Sequence, residues 1–537
     1  MSEREIELKL TLEGRAAARL RRDALLQRRK MARARNERLI AVYFDTADLD
    51  LKRAGAALRV RQEGRRRVQT LKAAVGPAGG LQTRVEVTAP IRGTTPDLAL
   101  IDDPAAAESV RAAIGDKALT AVFSTDVKRT LWLVEAGGSL IEVALDVGEI
   151  RSVGCGAPDA GGVRPILEAE LELKRGEPTA LLDFARELRA RIPFRIGGES
   201  KAARGYALFL GREPAPKKAE EPAFEPEMSV RAALAQILRL GVAQVLANDS
   251  VIRAGADPEG VHQARVAVRR MRAALSAFRP VIEEGPRKRL AKPLRWMQQQ
   301  TNPARDWDVF LDETLAPVLA ERPEHPGLKA LAKRAGKKRK RGYKRAVAAL
   351  DRKRFQHLLL DLESWGDTAN PAAEALPVGS FAHDLLAARY KVVLDDAGAD
   401  PTALETEALH ELRIEIKKLR YAVEFFRSLY PKKRVGPFLQ ATKKLQDCLG
   451  GLNDAAVAHR LLQELADGAE DPAQVLNPEA VALVEGHQAR KIEAGLANLA
   501  ESWARFRALP VYWETGAVAT EDAKDAIIQA PSGARSG

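Results

Sequence analysis

The chain has 537 residues, too many for a single hydrophobic core, so we expect at least two domains. Its formal net charge of +13 favours a polyanionic partner. It contains no run of about 18 apolar residues and no apolar segment near its start, so we predict neither a membrane span nor a signal peptide. Two distant cysteines, Cys155 and Cys448, provide no disulfide framework and favour a cytoplasmic location.

Two regions of different character follow along the chain. Residues 1–211 contain short alternating segments separated by turn residues, which predict an α+β domain whose sheet is flanked by helices in RAAARLRRDALLQRRK and ALLDFARELRARI. Residues 212–228 are rich in Pro, Ala, Lys and Glu and predict an extended linker. Residues 229–517 lose the strand signal and show helical periodicity, which predicts an all-α domain. Residues 518–537 form a tail that we expect to be disordered at its end.

One face of each predicted strand carries fixed charges. In EREIELKL, Glu5, Glu7 and Lys9 alternate with aliphatic residues, and successive side chains of a strand point to opposite faces. The segments IEVALDV and LEAELELK contribute further acids, namely Glu142, Asp146, Glu168, Glu170 and Glu172. The segments LRVRQ, TLK and LQTRVEV contribute Arg59, Arg61, Lys72, Arg84 and Glu86.

For a single strand, a charged face of this kind is ordinarily a solvated outer surface. Such a surface would also contain Thr, Ser, Gln and aromatic residues, whereas here acids cluster on some strands and bases on others. Neighbouring glutamates repel one another unless a cation lies between them. Mg²⁺ or Mn²⁺ would bind the carboxylate oxygens and keep positions open for phosphate oxygens, which the basic strands would also hold.

These segments resemble the CYTH domain of the triphosphate tunnel metalloenzymes. EIELK matches the family's ExExK signature, and YFDT, LRVR, TLK, GGLQTRVE, FSTDVKRTLWLV, IEVALDVGE, ELELK and SKAARGY follow in the family's order. The resemblance covers about residues 3–210. It implies a closed antiparallel β-barrel, a tunnel flanked by helices, and metal-dependent hydrolysis of a triphosphate.

The resemblance also implies roles for individual residues. The metal ligands would be Glu5, Glu7, Glu86, Glu142, Asp146, Glu168, Glu170 and Glu172. The phosphate-binding residues would be Lys9, Arg59, Arg61, Lys72, Arg84, Arg129, Lys201 and Arg204. The catalytic residues would be Glu170, Glu172 and Lys9, and one of the two glutamates would orient the attacking water. Many family members carry a further acid where this chain has Thr88.

The family leaves several functions open. Its members hydrolyse inorganic triphosphate or thiamine triphosphate, or act as class IV adenylate cyclases, and an organic substrate would need an aromatic pocket. Aromatic residues make up only 5% of the chain, so we predict inorganic triphosphate as the substrate. A protein that binds polyphosphate without turnover is the alternative from another class, and the set of acids argues against it.

The second region contains an internal repeat. VHQARVAVRRMRAAL (261–275) matches LHELRIEIKKLRYAV (409–423), and each copy has one histidine followed by bases at +3, +7, +8 and +10. The two sets are His262, Arg265, Arg269, Arg270 and Arg272, and His410, Arg413, Lys417, Lys418 and Arg420. The register continues through Asp306 and Asp454 without a gap. We therefore predict a helical bundle with a pseudo-twofold repeat, its copies spanning about 229–375 and 376–517.

This repeat resembles the CHAD domain, the conserved histidine α-helical domain. A basic helix face is usually solvated, but the same histidine and four bases in two copies favour a binding groove. The resemblance implies binding of long-chain polyphosphate, and it leaves open an association with polyphosphate granules. The basic run AKRAGKKRKRGYKR (332–345) adds general attraction for polyanions. We expect no nucleic-acid partner, because no module for base stacking or base readout is recognisable.

Overall fold

The computed structural model describes residues 3–74, 81–153, 162–367, 371–467 and 476–514. The predicted tail at 518–537 and Cys155 lie outside these ranges. Within the described ranges, the first region forms one antiparallel sheet of nine strands. The strands are β1 (Glu3–Leu12), β2 (Arg35–Asp45), β3 (Ala56–Glu63), β4 (Arg66–Ala74), β5 (Leu81–Ile91), β6 (Thr120–Ala136), β7 (Ser139–Ser152), β8 (Val163–Arg175) and β9 (Phe194–Ile196).

The strands lie side by side in the order β5-β4-β3-β2-β6-β7-β8-β1-β9. β1 also pairs with β5, with Glu3 opposite Glu86 and Leu8 opposite Leu81. The predicted antiparallel sheet is thus confirmed. Closure of the strands into a barrel stays a prediction.

The aliphatic residues that alternate with the charged residues along the strands form the core of this region. Ile141, Val143 and Leu145 of β7 are fully buried, and the helices of the region supply further buried aliphatic residues. These helices are α1 (Ala16–Arg22), α2 (Ala24–Arg29), α3 (Asp50–Arg53), α4 (Pro104–Ile114), α5 (Pro178–Arg191) and α6 (Lys201–Phe209). The segment predicted as one helix in residues 15–30 is broken at Asp23, because its side chain accepts a hydrogen bond of 2.8 Å from the Leu25 amide and caps α2.

The second region is helical, as predicted. Its helices are α7 (Val230–Ala247), α8 (Asp249–Ala254), α9 (Pro258–Ala277), α10 (Glu284–Val309), α11 (Ala316–Glu321), α12 (Pro326–Asp351), α13 (Lys353–Glu363), α14 (Pro371–Ala375), α15 (Val378–Ala397), α16 (Thr406–Phe426), α17 (Lys432–Cys448), α18 (Gly450–Ala466), α19 (Pro478–Ala497) and α20 (Leu499–Arg507).

The two sequence copies differ in one helix. Gln298 and Asp306 both lie on α10, whereas their matched residues Gln446 and Asp454 lie on α17 and α18, which are separated at Leu449. The second copy has the dipeptide Gly450-Gly451 at this point, and glycine weakens a helix because of its backbone freedom.

The described residues form two compact units that are discontinuous in sequence. The first unit includes residues up to 218 together with 242–263 and 350–367, and the second includes 219–241, 264–349 and the rest of the chain that the structure describes. The segments 242–263 and 350–367 therefore pack with the sheet-containing region. The domain boundary at 212–228 stays a prediction.

One helical stretch bears on the predicted absence of a membrane span. Residues 230–254 are long and apolar enough to cross a membrane by length and composition, with a mean hydropathy of 1.4 in the qualifying window. Because 61% of that window is buried in the protein, the stretch has the burial of a core helix, and core helices pass the same test.

Candidate active site

Strand residues of the charged parity line a cavity of about 1230 Å³ in the first unit. Its charged lining includes Glu7, Lys9, Arg35, Glu37, Arg59, Arg61, Glu63, Lys72, Glu86, Arg129, Glu142, Asp146, Glu170, Glu172, Lys174 and Lys201. Two described members of the predicted site, Glu168 and Arg204, do not line this cavity. The side chains of Glu5 and Arg84 lie outside the described residues.

Three glutamates form a row across neighbouring strands. Glu172 of β8 lies opposite Glu7 of β1 on one side and opposite Glu142 of β7 on the other. Side chains at directly opposed positions of antiparallel strands are in contact range. Lys174 Nζ lies 2.5 Å from Glu172 Oε1 and 3.9 Å from Glu142 Oε1, and Lys9 Nζ lies 3.3 Å from Glu7 Oε1. We call Glu7, Glu142 and Glu172 the glutamate row.

Burial raises the pKa of Glu172 above its ordinary value. The nearby Lys174 ammonium opposes the shift, and the Glu142 carboxylate adds to it. The three carboxylates of the glutamate row thus lie close together, with the ammonium groups of Lys9 and Lys174 beside them, and Lys72 also favours the ionised form of Glu172.

A second acidic group consists of Asp146, Glu168 and Glu170, whose oxygens lie within 4.8 Å of one another. Lys201 Nζ lies 2.7 Å from Asp146, 2.5 Å from Glu168 and 2.9 Å from Glu170. Arg129 donates to both Asp146 oxygens, at 2.7 and 2.6 Å, and to Glu170 at 2.8 Å. Arg204 pairs with Glu168 and Lys9 Nζ lies 4.0 Å from Glu170, so cations surround all three carboxylates.

These ion pairs control the ionisation of the second group. Burial opposes the charge on Glu170, but Lys201, Arg129 and Lys9 outweigh it and hold the pKa of Glu170 well below its ordinary value. Burial likewise opposes the charge on Asp146, and Lys201 and Arg129 outweigh it and lower its pKa. Both carboxyl groups are therefore ionised at neutral pH and already neutralised by the protein.

Basic residues of β3 and β4 form the other wall of the cavity. Lys72 Nζ lies 2.7 Å from Glu86, and Arg59 lies 3.9 Å from the same carboxylate. Arg61 pairs with Glu63, and its pKa is lowered by burial and by the adjacent Arg59. Glu86 was predicted as a metal ligand, but the structure places it among these bases.

The sequence patterns missed several residues that line the cavity. Arg35, Glu37 and Tyr43 of β2 share one parity, and the Tyr43 hydroxyl lies 3.4 Å from Arg59. Burial opposes ionisation of Tyr43, but Arg59 outweighs it and lowers the pKa of the phenol. The common parity of these three residues could have marked the inward face of β2. In RNER (35–38), however, residues of both parities are polar, so no alternation is visible in the sequence.

The matched basic helices α9 and α16 lie in contact. Arg269 of α9 donates to the Tyr421 hydroxyl of α16 and stacks over its ring at 5.8 Å. Arg265 pairs with Asn302, Arg272 with Gln298, Lys418 with Glu415, and Arg420 with Glu424, while Arg270 lies over the Phe425 ring. Of the two predicted histidines, His410 is exposed and His262 is half-buried.

Crowded cations lower the pKa values along this contact. Burial, with Arg413 and Arg269 close by, lowers the pKa of Lys417 to about 8. Burial also lowers the pKa of Arg265 to about 10, although Asp306 partly compensates it. Burial and Arg269 lower the pKa of Arg413, against the attraction of Asp454. The contact between α9 and α16 thus carries cations that the protein's own carboxylates do not fully neutralise.

Two protein-family models match the chain. The CYTH domain model matches residues 3–206, and the CHAD domain model matches residues 236–463. The chain carries a CYTH domain followed by a CHAD domain. The CYTH match contains the whole sheet, and the CHAD match contains α9 and α16 together with α13, which packs with the sheet-containing unit.

Individual relatives match one or both domains. An inorganic triphosphatase of Haemophilus influenzae is 35% identical over 206 residues, which cover 38% of this chain and 54% of the relative. The chain thus matches about half the length of that relative. An uncharacterised protein of Mycobacterium tuberculosis is 28% identical over 463 residues, covering 80% of this chain and 83% of the relative. The crystal structure of a CHAD domain from Ricinus communis is 31% identical, covers 55% of this chain and 98% of that chain, and gives a TM-score of 0.47.

Proposed function

We propose that the CYTH domain hydrolyses inorganic triphosphate to diphosphate and phosphate with Mg²⁺ or Mn²⁺. The observation that carries this proposal is the cavity itself, in which the glutamate row and the basic wall of Arg59, Arg61 and Lys72 line the same space. The 35% identity of this domain to an inorganic triphosphatase supports the same substrate. The pairing of β1 with β5 supports the further proposal that the strands close into a tunnel around the cavity.

The glutamate row fits a divalent cation better than the second acidic group does. Glu7, Glu142 and Glu172 supply carboxylate oxygens, which Mg²⁺ and Mn²⁺ prefer. Burial raises the pKa of Glu172 and the nearby Glu142 carboxylate adds to the shift, and a bound cation would offset both effects. Asp146, Glu168 and Glu170 are already bound by Lys201, Arg129 and Arg204. The bound ion would supply neutralisation of charge on the phosphate oxygens.

The chain's own residues perform the rest of the reaction. Arg59, Arg61 and Lys72 bind the oxygens of the phosphate chain and hold it in line, because phosphoryl transfer depends mainly on positioning and neutralisation of charge. Glu172 orients a water molecule and accepts its proton as the water oxygen attacks the terminal phosphorus. The bond from that phosphorus to the bridging oxygen breaks, and diphosphate leaves. Glu170 is less suited to this role, since Lys201, Arg129 and Lys9 lower its pKa and make it a weaker proton acceptor.

An organic triphosphate is the second candidate substrate. Leu39, Ala41, Val127 and Leu131 give the cavity an apolar side. Tyr206 also lines the cavity, and its hydroxyl donates a hydrogen bond to Asp45 at 2.8 Å. This apolar side is the feature that would receive a nucleoside or a thiazole ring.

A phosphate-release panel tests these candidates. The substrates are triphosphate, long-chain polyphosphate, ATP and thiamine triphosphate, each with Mg²⁺, with Mn²⁺ or with chelator. We expect metal-dependent release that is fastest with triphosphate. Glu7→Gln should lower kcat at least about a hundredfold, because a metal-ion contribution is worth several kcal/mol. Glu108→Gln, an exposed change on α4, is the matched control and should retain wild-type rates. Full metal-dependent activity of Glu7→Gln would refute the site, and no release from any substrate would favour a binder without turnover.

We also propose that the CHAD domain binds long-chain polyphosphate along α9 and α16. The crowded cations Arg265, Arg269, Arg413 and Lys417 support this proposal, because a phosphate chain would supply the negative charge that neighbouring carboxylates supply only in part. The set of bases recurs in both copies of the repeat, and the Arg269–Tyr421 contact joins the two helices.

Polyphosphate binding should weaken as the pH rises through 8. The pKa of Lys417 is lowered to about 8, so its charge is present at pH 7 and mostly lost at pH 9. Loss of one charge-assisted contact costs about 1.5–3 kcal/mol, so we expect about a tenfold rise in Kd between pH 7 and pH 9, measured by calorimetry. Lys417→Arg should remove most of this pH dependence, whereas the exposed change Lys444→Arg should not. Equal pH profiles for wild type and Lys417→Arg would contradict the assignment.

A further inference from the structure

The segment that leads to Lys201 is a short strand followed by a glycine turn. β9 ends at Ile196, and Gly197 and Gly198 follow with φ values of +82° and +123°. Such backbone angles favour glycine. Ser200 then caps α6 by accepting a hydrogen bond of 3.0 Å from the Ala203 amide, and Lys201 is the first residue of the helix. The position of β9 and its turn therefore sets where the Lys201 ammonium reaches.

The sheet holds this turn on one side only. The Gly197 amide donates to the Lys9 carbonyl at 2.8 Å, and Thr11 Oγ1 donates to the Gly197 carbonyl at 3.1 Å. β9 pairs with β1 through Leu12, Thr11 and Leu10, and it is the last strand in the sheet order. Its other edge has no strand beside it in the part of the chain that the structure describes.

A buried glutamine from the CHAD-matching part of the chain occupies that other edge. The Ile196 amide donates to Gln356 Oε1 at 2.6 Å, and Gln356 Nε2 donates to the Leu350 carbonyl at 2.7 Å. Gln356 lies on α13 and is 2% exposed. It supplies the hydrogen bond that a neighbouring strand would otherwise give to β9.

Two further contacts hold the same segment. The side chain of Leu246 packs so closely on Gly197 that an added Cβ would lie 2.9 Å from its methyl carbons. Arg195 of β9 lies 3.7 Å from Asp351, which also binds Arg253 at 2.7 Å. All these residues belong to the first compact unit. Residues from 242–263 and 350–367 thus surround the outer edge of β9.

We propose that Gln356 is a positioning residue for Lys201, assisted by Leu246. By fixing β9 and the glycine turn, Gln356 holds the Lys201 ammonium at the cavity, where it binds Asp146 and Glu170 and faces the phosphate chain. The proposal rests on the assignment of the cavity as the triphosphate site. Its consequence is that the CYTH site is completed by helices that the CHAD family model covers.

The test compares two buried glutamines in the full-length protein. Gln356→Met keeps the volume and removes the hydrogen bonds. Gln244→Met is the matched control, because Gln244 is 4% exposed, lies in the same unit and donates at 2.8 Å to Gln263 rather than to β9. Triphosphate binding is measured by calorimetry without added metal, and kcat and KM are measured with Mg²⁺. We expect Gln356→Met to raise the Kd for triphosphate about tenfold and to lower kcat/KM about tenfold. Gln244→Met should lower Tm by a similar amount but change the Kd and kcat/KM less than twofold.

A double-mutant cycle separates positioning from general destabilisation. Lys201→Gln with Glu168→Gln removes one cation and one carboxylate, so the balance of buried charge is kept. On this background Gln356→Met should change the Kd less than twofold. Leu246→Ala is the second single variant, and it should reproduce the tenfold effect on the otherwise wild-type protein.

The outcomes distinguish this inference from the proposed function. A wild-type Kd for Gln356→Met, or a full tenfold effect on the Lys201 background, would overturn the positioning role. Wild-type protein that binds triphosphate without hydrolysing it would refute the proposed activity alone, since the Kd comparison would still decide the role of Gln356. Wild-type protein that does not bind triphosphate would overturn both.

Discussion

Replacing Glu172 by glutamine is expected to lower kcat for triphosphate hydrolysis about 10³-fold, within the range for loss of a general base. The change is isosteric, and Glu172 lies at the cavity rather than in the apolar core, so the fold should be retained. Steady-state phosphate release, with Tm as the check on folding, measures the effect. Glu149→Gln on the same sheet is the matched control, because Glu149 has the opposite parity to Glu142 on β7 and pairs with Arg151 at 2.6 Å.

The pH profile of kcat adds a second readout for Glu172. A general base acts when ionised, and burial raises the pKa of this carboxyl. The rate of the wild-type protein should therefore fall in acid as Glu172 takes up a proton, and the residual rate of Glu172→Gln should lack this acid limb. An unchanged acid limb in the variant would assign the base to another group.

Replacing Lys201 by methionine is expected to lower the free energy of unfolding at pH 7 by about 3–5 kcal/mol, as when one partner of a buried ion pair is removed. Lys201 is 11% exposed at its side chain and binds three carboxylates, so its loss leaves Asp146, Glu168 and Glu170 with excess negative charge. Urea denaturation measures the difference. Lys117→Met is the surface control, since the side chains of Lys117 and its partner Asp48 are both more than half exposed. The buried Asp50 keeps Arg53 and Thr46 as partners, so the change should cost less than about 1 kcal/mol.

The drop in the free energy of unfolding caused by Lys201→Met should be smaller in acid than at pH 7. The direction of this pH dependence follows from the carboxyl pKa values. The wild-type protein holds the pKa of Glu170 and Asp146 below their ordinary values, so this stabilisation is present above those values and is lost as the pH falls. Without Lys201 the two carboxyl groups take up protons at higher pH, and a neutral carboxyl group needs no cation. The double variant Lys201→Met with Glu170→Gln should recover part of the stability. An equal loss at pH 7 and at pH 4 would show that the ion pairs are not its cause.

The charged lining of the cavity was predictable where the strands alternate cleanly. The acids of β1, β7 and β8 were identified because a period of two sets the face of each side chain within the strand itself. β2 shows the limit of this reasoning. Arg35 and Glu37 line the cavity, but Asn36 and Arg38 between them are also polar, so no alternation marks the inward face.

The division of the acids into two groups was not predictable. The sequence presented eight candidate metal ligands as one set, whereas the structure places Glu86 beside Lys72 and Arg59 and gives Asp146, Glu168 and Glu170 their own cations. These pairings depend on which strands are neighbours and on their register. The cations come from distant segments, as Lys201 does from α6.

The sequence by itself determined the charged face of each strand and the matching basic stripes of α9 and α16, because periods of about 2 and 3.6 residues are local properties of the chain. The tertiary structure decided which cation neutralises which carboxylate. It also brought Gln356 to Ile196 across 160 residues of sequence. Such contacts follow from strand order, register and helix docking, and no local periodicity encodes them.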